Sequence, residues 1–486
     1  MTTQQRTPSR GPASLKELSN RAGSWVHSVD LGERGPVVGR IKSAIVACLV
    51  LVTAIGVAVG QSGTAPSRIL LAGESGRGPG VVACAWPIAV NARTLASDPS
   101  LNIHNPDTNS DYWIMAITFE PSLRITLTGR FPQSRYMSVS VYDSQGAPFV
   151  TNGVSSTLTD FQIKSARGEV NPWRRRTSAR NFYAISLTSD PRADSRNALP
   201  LAPEGTAPGT SGLLFYRVYA PASDDPGRVA VPKVTMNEGG SNTHLAACKG
   251  MAAMQSEAAQ VRQDLGLSPA AAKPARPSAP PPIQPGEIVP FVLGAAALGS
   301  TPNTDSRYLY ASYVPPANQA DVLVIHGKAP TTPSGSGPAP WPARGIELRY
   351  WSFCNDLLAA PQPVVVNRLV RGRPDYGCRD DNQIAVDKLG DYTVVVGRES
   401  QRSQIERVPN VTFIPLSQSK PDQAYKINLR NMLPNQDFAQ AVQRVPPDNV
   451  PTSAAVVMGP YYPRAVFCSL RVLIVNGPGS CLSSRQ

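Results

Sequence analysis

Asp107, Asn109 and Asp111 stand at alternate positions, the spacing with which calcium loops begin, because alternate residues of a tight loop can aim oxygens at one centre. The rest of such a loop is missing. Tyr112 occupies the place that needs glycine, and no glutamate closes a loop of about twelve residues begun at Asp107. A polar turn entering a strand accounts for the pattern. His104, His244 and His326 each lack a second histidine at ligand spacing, and His244 with Cys248 makes two groups, too few for a metal site. The Ser–Gly clusters near Gly73, Thr210 and Gly335 fail the Gly-x-Ser-x-Gly spacing of a hydrolase elbow and read as flexible loops. Neither a phosphate-cradling loop nor a dinucleotide fingerprint is present. Asp380 with Asp381, and Asp224 with Asp225, are neighbours in sequence, so on a strand they face opposite sides and form no acid/base dyad unaided. No catalytic residue is assigned, and neither metal nor cofactor is expected.

One set of groups occurs twice. Pro106-Asp-Thr-Asn-Ser-Asp-Tyr112 aligns without gaps to Pro302-Asn-Thr-Asp-Ser-Arg-Tyr308, and Leu123–Pro132 to Asp321–Pro330. Arg135-Tyr-Met-Ser138 then aligns to Arg349-Tyr-Trp-Ser352, with Gly, Ser and Pro filling an insertion between Thr331 and Arg344. Three matches in one order indicate an internal duplication. A duplicated site presents the same groups twice, so Arg135, Tyr136, Arg349 and Tyr350 are candidate paired binding positions. The structural alternative makes them ordinary strand residues, with Tyr136 and Ser138 on one face and Arg135 leading the chain in from solvent.

The elements that must position these groups are strands. Charged residues are only 17% of the 486-residue chain, and 48 prolines with 38 glycines favour turns and short strands over helical bundles. Met137, Val139 and Val141 alternate with polar residues, and Tyr392–Val396 is a β-branched run of strand length. Leu245–Leu265 is expected to form a helix, capped by Ser241, Asn242 or Thr243 and stopped at Gly266. Ile288–Leu298 reads as a buried strand or a domain-docking segment.

The run from Arg135 to Phe149 (RYMSVSVYDSQGAPF), followed by Gly168-Glu-Val-Asn-Pro-Trp173, resembles the bacterial domain of unknown function 1214 family. The whole chain resembles uncharacterised actinobacterial membrane-anchored envelope proteins. The family match covers about a fifth of the chain. It implies a β-sandwich and supplies no active site to carry over. The second copy departs from it, with Asn355-Asp356 in place of Tyr142-Asp143 and a cysteine at Cys354.

Ser43–Gly60 is an uncharged, apolar stretch that as helix would rise about 27 Å, near a bilayer's hydrocarbon thickness. Arg34, Arg40 and Lys42 precede it and Arg68 is the first basic residue beyond, so the positive-inside rule leaves the N-terminus cytoplasmic. A cleaved signal peptide is the rival reading and would need an unusually long basic region. The six cysteines beyond Cys48 would then lie in an oxidising space, and their positions suggest Cys84 with Cys248, Cys354 with Cys378, and Cys468 with Cys481.

The expected architecture is mainly β: one N-terminal transmembrane helix as signal-anchor, then two duplicated antiparallel β-sandwich, jelly-roll-like domains with a few helices. Its parts are a cytoplasmic basic tail (1–42), the span (43–60), a first sandwich with a C-terminal helix (61–268), a Pro-rich linker (269–286) and a second sandwich (287–486). The formal charge of +13 is dispersed, with no zinc-finger or RNA-binding signature, which argues against nucleic acid. The expected function is a single-pass membrane protein of the cell envelope whose extracytoplasmic part binds or scaffolds an envelope lipid, glycan or membrane-protein partner. The alternative is a hydrolase or isomerase of envelope glycan or lipid using Asp, Glu and Tyr groups.

Overall fold

Alternating side chains build most of this molecule. The computed structural model describes residues 84–175, 181–192, 196–223, 229–248, 287–294, 301–369 and 372–483. The first half supplies β1 (Ile88–Val90), β2 (Ser110–Thr118), β3 (Arg124–Arg130), β4 (Ser134–Tyr142), β5 (Val150–Thr151), β6 (Val154–Ser155), β7 (Thr157–Thr159), β8 (Phe182–Thr188), β9 (Ala198–Pro200), β10 (Ser211–Pro221), β11 (Lys233–Glu238) and β12 (Ser241–Leu245). The second supplies β13 (Ser306–Tyr313), β14 (Asp321–Lys328), β15 (Leu348–Leu357), β16 (Val366–Arg368), β17 (Pro374–Tyr376), β18 (Cys378–Asp380), β19 (Asp391–Gly397), β20 (Val411–Pro415), β21 (Tyr425–Pro434) and β22 (Arg464–Ser469).

The two halves share one topology. Order β2-β10-β4-β7 in the first half matches β13-β21-β15-β18 in the second, and β11-β3-β8-β9 matches β22-β14-β19-β20. Within each half the two sheets close over an apolar interior, with Met115, Leu127, Val139 and Ile185 in the first and Leu309, Ile325, Phe353 and Val394 in the second. Each half also ends one sheet with a parallel pair, β8 with β9 and β19 with β20.

Every residue of β4 and of β15 is buried. Strands covered on both faces ordinarily read as unbroken apolar runs, yet β4 alternates. Met137, Val139 and Val141 face the first interior, while Tyr136 joins a cluster with Tyr350 and Met432 of the second half. The sheet carrying β4 therefore packs face to face on the sheet carrying β15, giving four layers. Ile114, Tyr142 and Phe215 of one sheet meet Cys354, Val364 and Cys378 across this seam.

Three disulfides are present. Cys84–Cys248 joins the two ends of the described first half, Cys354–Cys378 links β15 to β18, and Cys468–Cys481 ties β22 to the helix Pro478–Leu482. These are the pairs that position along the chain suggests.

The fold expectation needs correction. Among the described residues no helix is long and apolar enough to cross a membrane, and the structure is a mainly β chain of several sheets with a few short helices. The parallel edge pairs also depart from an all-antiparallel sandwich. The stretch Ser43–Gly60, Cys48, the Pro-rich segment 269–286 and Asp224 with Asp225 lie outside the described residues. The helix expected from Leu245 is corrected at its start. Its cap candidates Ser241, Asn242 and Thr243 form β12, because Gly239 and Gly240, both with left-handed backbone (φ 57° and 89°), turn the chain back on β11 as a two-residue hairpin. Residues 249–286 lie outside the description. Of the Ile288 segment, Val289, Phe291 and Leu293 are buried, and Ile288 and Val292 make bridges to Val466 and Tyr310.

Candidate functional site

The duplicated groups bind each other. Arg135 is the second residue of β4 and Arg349 the second of β15, and both are fully buried, which corrects the expectation that Arg135 enters from solvent. Arg135 Nη1 donates to Asp381 Oδ2 at 2.6 Å and to the Arg349 carbonyl at 3.3 Å. Arg349 Nη1 donates to the Arg135 carbonyl at 2.9 Å and to Asp160 Oδ2 at 3.1 Å. Ser138 pairs with Thr159, and Ser352 with Asp380, so Asp160 and Asp381 hold equivalent places one residue further on. Each half thus lends an arginine to the other's aspartate. This is the reciprocal contact of a two-fold symmetric dimer, here made within one chain.

The exchange continues one residue on. Tyr136 Oη donates to Asp305 Oδ2 at 2.8 Å, and Tyr350 Oη to Asp107 Oδ2 at 2.7 Å. Arg217 on β10 donates to the Thr301 carbonyl at 2.9 Å, and its counterpart Arg430 on β21 donates to the Asn105 carbonyl at 3.5 Å and also to Asp107. The insertion after Thr331 straps this seam. The Gly335 carbonyl accepts Arg135 Nε at 2.8 Å, Trp341 N donates to the Trp173 carbonyl at 2.7 Å, and the Trp341 ring lies 4.9 Å from the Arg349 guanidinium.

These groups are committed to structure. Asp107 accepts from Tyr350, Ser352 and Arg430 while its other oxygen takes Asn109 N at 2.9 Å, so the Asp-x-Asn-x-Asp run makes a docking turn. Asp111 faces back into the first half, where burial raises its carboxyl to about 7. Asp107, Cys354 and Cys378 approach within 4.8 Å of one another. The two sulfurs are bonded to each other, so they offer no thiolate to a metal. His244 Nδ1 pairs with Thr235 and His326 Nδ1 with Thr393, in different halves. Asp381 serves Arg135 and Thr332, whereas burial pushes its neighbour Asp380 up to about 7.

The copies part company at the far end of the seam. Leu213 and Phe215 on β10 sit opposite Ala116 and Ile114 on β2, and Leu213 sits opposite Tyr142 on β4. The corresponding places in the second half hold Lys426 and Asn428 opposite Ser312 and Tyr310, and Lys426 opposite Asp356. The register therefore aligns Asp356, not Asn355, with Tyr142. The first set packs into an apolar cluster with Ile88, Val90 and Leu95. The second is a polar cluster. Lys426 Nζ donates to Gln362 Oε1 at 3.1 Å, which also takes Asn105 Nδ2 at 3.3 Å, and the Tyr310 ring lies 5.9 Å from Nζ.

Burial raises Asp356 to about 7 despite the Lys426 charge, and burial likewise lowers Lys426 against the pull of Asp356. Asp356 Oδ2 accepts from Asn428, while Asp356 Oδ1 and Asn105 Oδ1 are buried without a hydrogen-bond partner. His104 stands at the open side; crowding of its ring and, second, the Lys426 charge hold it below the usual imidazole range. His104, Asn105 and Gln362 all adopt left-handed backbone (φ 56°, 55° and 57°), a conformation that non-glycine residues keep only where their surroundings enforce it. A carboxyl, an amine and an imidazole with displaced affinities for protons, beside an aromatic ring, can orient a polar ligand or move a proton.

Spacing alone did not disclose Lys426, Asp160, Arg217 or Arg430. A signal exists for Arg217, which interrupts the apolar run Leu-Leu-Phe-Tyr-Arg-Val, whereas Arg430 stands among polar residues in Asn-Leu-Arg-Asn and shows none.

No family model matches the chain, and no curated protein matches it. Among solved structures it is similar to an uncharacterised protein of Burkholderia cenocepacia, at 14% identity and a TM-score of 0.43 over 76% of this chain and 79% of that one. It is also similar to a protein of Vibrio parahaemolyticus, at 10% identity and a TM-score of 0.37 over 75% of this chain and 90% of that one. Neither likeness carries the argument further.

Proposed function

We propose that this protein is a non-enzymatic, extracytoplasmic module of the cell envelope that binds or scaffolds another envelope component, and that the cluster around Lys426 is where it binds. The break in the duplication carries this reading. The arginines and tyrosines kept in both copies are consumed in holding the halves together, whereas Lys426, Asn428 and Asp356 stand in one copy only, where the other has Leu213, Phe215 and Tyr142. A buried polar substitution costs stability unless satisfied, so a lysine and a half-satisfied aspartate in a seam that packs well without them need another reason. Three disulfides support an oxidising compartment, and the charge of +13 suits anionic polymers or headgroups.

The test is affinity capture from envelope extracts with the chain and its Lys426→Ala form, read by mass spectrometry for glycans, lipids and proteins. A captured glycan, lipid or protein should disappear with Lys426→Ala while the melting temperature holds. An identical catch from both forms removes the cluster from the proposal.

One observation favours a second reading, an enzyme acting on envelope glycan or lipid. Asp356 is raised and Lys426 lowered within a single cluster, as acid/base pairs are in catalytic sites. Turnover of the captured component, abolished by Asp356→Asn, would move the assignment there.

A further inference from the structure

The outer face of the second half carries a feature independent of the Lys426 cluster. The helix Leu470–Asn476 lies over the sheet β20-β19-β14-β22, where Leu470 and Leu473 pack with Val322, Ile405 and Phe413. Cys468–Cys481 fixes both its ends. A helix seated on a sheet normally turns a polar side outward. This one shows Ile474 and Val475, exposed by 41% and 72%. Between its last turn and the segment Gln404–Pro409 runs a groove of about 570 Å³, lined by Arg407, Val408, Pro409, Ile474 and Pro478. The groove is open to solvent along one side.

Charge decides what fits. Arg407 is exposed and its guanidinium has no hydrogen-bond or ion-pair partner among the described residues, while its neighbour Glu406 is engaged by Arg402 at 3.2 Å. Arg471 is also exposed, three and four residues before Ile474 and Val475, and so lies on their side of the helix. The walls are thus mainly apolar, with Gln404 and Arg407 as the polar lining, Arg471 nearby and no carboxylate in the lining.

We propose that this groove binds a long-chain fatty acid, its alkyl chain along Val408, Pro409, Ile474 and Pro478 and its carboxylate on Arg407. A guanidinium receives a carboxylate through two parallel hydrogen bonds. Each methylene laid on the apolar wall adds affinity, so binding tightens several-fold for every few carbons of chain.

The experiment titrates the full chain calorimetrically with dodecanoate, octanoate and dodecyltrimethylammonium, each below its micelle concentration. Dodecanoate should bind one per chain, octanoate roughly tenfold or more weakly, and the cationic amphiphile weakly or not at all. Ile474→Asp should abolish dodecanoate binding at some loss of melting temperature, because Ile474 is more than half buried, whereas Arg407→Glu should weaken binding about tenfold or more with the melting temperature unchanged, because Arg407 is exposed. Arg407→Glu, which leaves the helix untouched, carries the test should Ile474→Asp fail to fold. Equal binding of both twelve-carbon amphiphiles, insensitivity to the substitutions, or no binding overturns the proposal. So does a concentration-dependent dimer that Ile474→Asp dissolves, since the groove then receives a second copy. Lys426→Ala leaves these titrations unchanged, which separates this proposal from the one above.

Discussion

The two ends of the seam between the halves are built on the same strands in the same register and have opposite chemistry. At the Arg135–Arg349 end both copies keep Arg-Tyr-x-Ser, and each arginine and tyrosine side chain finds its partner in the other half. At the Lys426 end the first copy keeps an apolar surface and the second has Lys, Asp and Asn at the matching places. A repeated group in a duplicated chain is therefore weak evidence of a ligand site, because the nearest thing for it to bind is its own repeat. Lys426, found in one copy alone, has no repeat of itself to bind.

Breaking the symmetric end should cost most. Arg349→Ala leaves Asp160 buried and unpaired and should remove about 3–5 kcal/mol from the unfolding free energy in a denaturant titration. An unshifted midpoint would falsify the view that the exchange holds the halves together. Replacing both partners, Arg349→Met with Asp160→Leu, should recover only part of that loss, because the apolar pair leaves no charge behind but strips Met137 N of its acceptor. The next contrast lies between the counterparts Arg430 and Arg217. Arg430 meets the carboxylate of Asp107, whereas Arg217 meets only a carbonyl across the seam. Arg430→Ala should thus be the more costly by about 2 kcal/mol, and equal losses would mean that Asp107 is satisfied without it.

The polar end should respond to pH. Asp356 titrates at about 7 when folded against an ordinary 3.8. The folded chain then holds a proton that the unfolded chain has already released. The stability tied to this group is complete below the ordinary value and is lost as pH rises through about 7. Asp111 and Asp380, also raised to about 7, act in the same direction. Melting temperature should fall as pH rises from about 5 to 8, and more gently in Asp356→Asn; identical slopes would place the titration elsewhere. The smallest effect on stability belongs to Lys426→Ala, within about half a kcal/mol, because losing the ammonium's hydrogen bond to Gln362 is offset by no longer desolvating the charge. A large loss there would return Lys426 to the structural set.

Strand positions were legible because alternation survives in the sequence: Tyr392–Val396 lies within β19, and the aligned blocks Leu123–Pro132 and Asp321–Pro330 contain β3 and β14. The role of the repeat was not. Tyr136 and Ser138 look solvent-facing because polar residues on alternate positions usually are, and nothing local says that a second polar sheet covers them. The Gly-Ser-Pro insertion after Thr331 likewise reads as a free loop, although Gly335 and Trp341 anchor it to the first half. Lys426 was invisible for a related reason. Its meaning lies in what stands at Leu213, and that comparison needs the strand register.

The strap and the crossed arginines have a consequence for how the protein meets dilution. Two separate subunits joined through such a surface would come apart as they grew scarce, by mass action. Tethered on one polypeptide, each face keeps its complement at a fixed effective concentration however few molecules there are. The arginine end of the seam should stay shut at a single copy per cell, and the Lys426 end alone is left to meet another component.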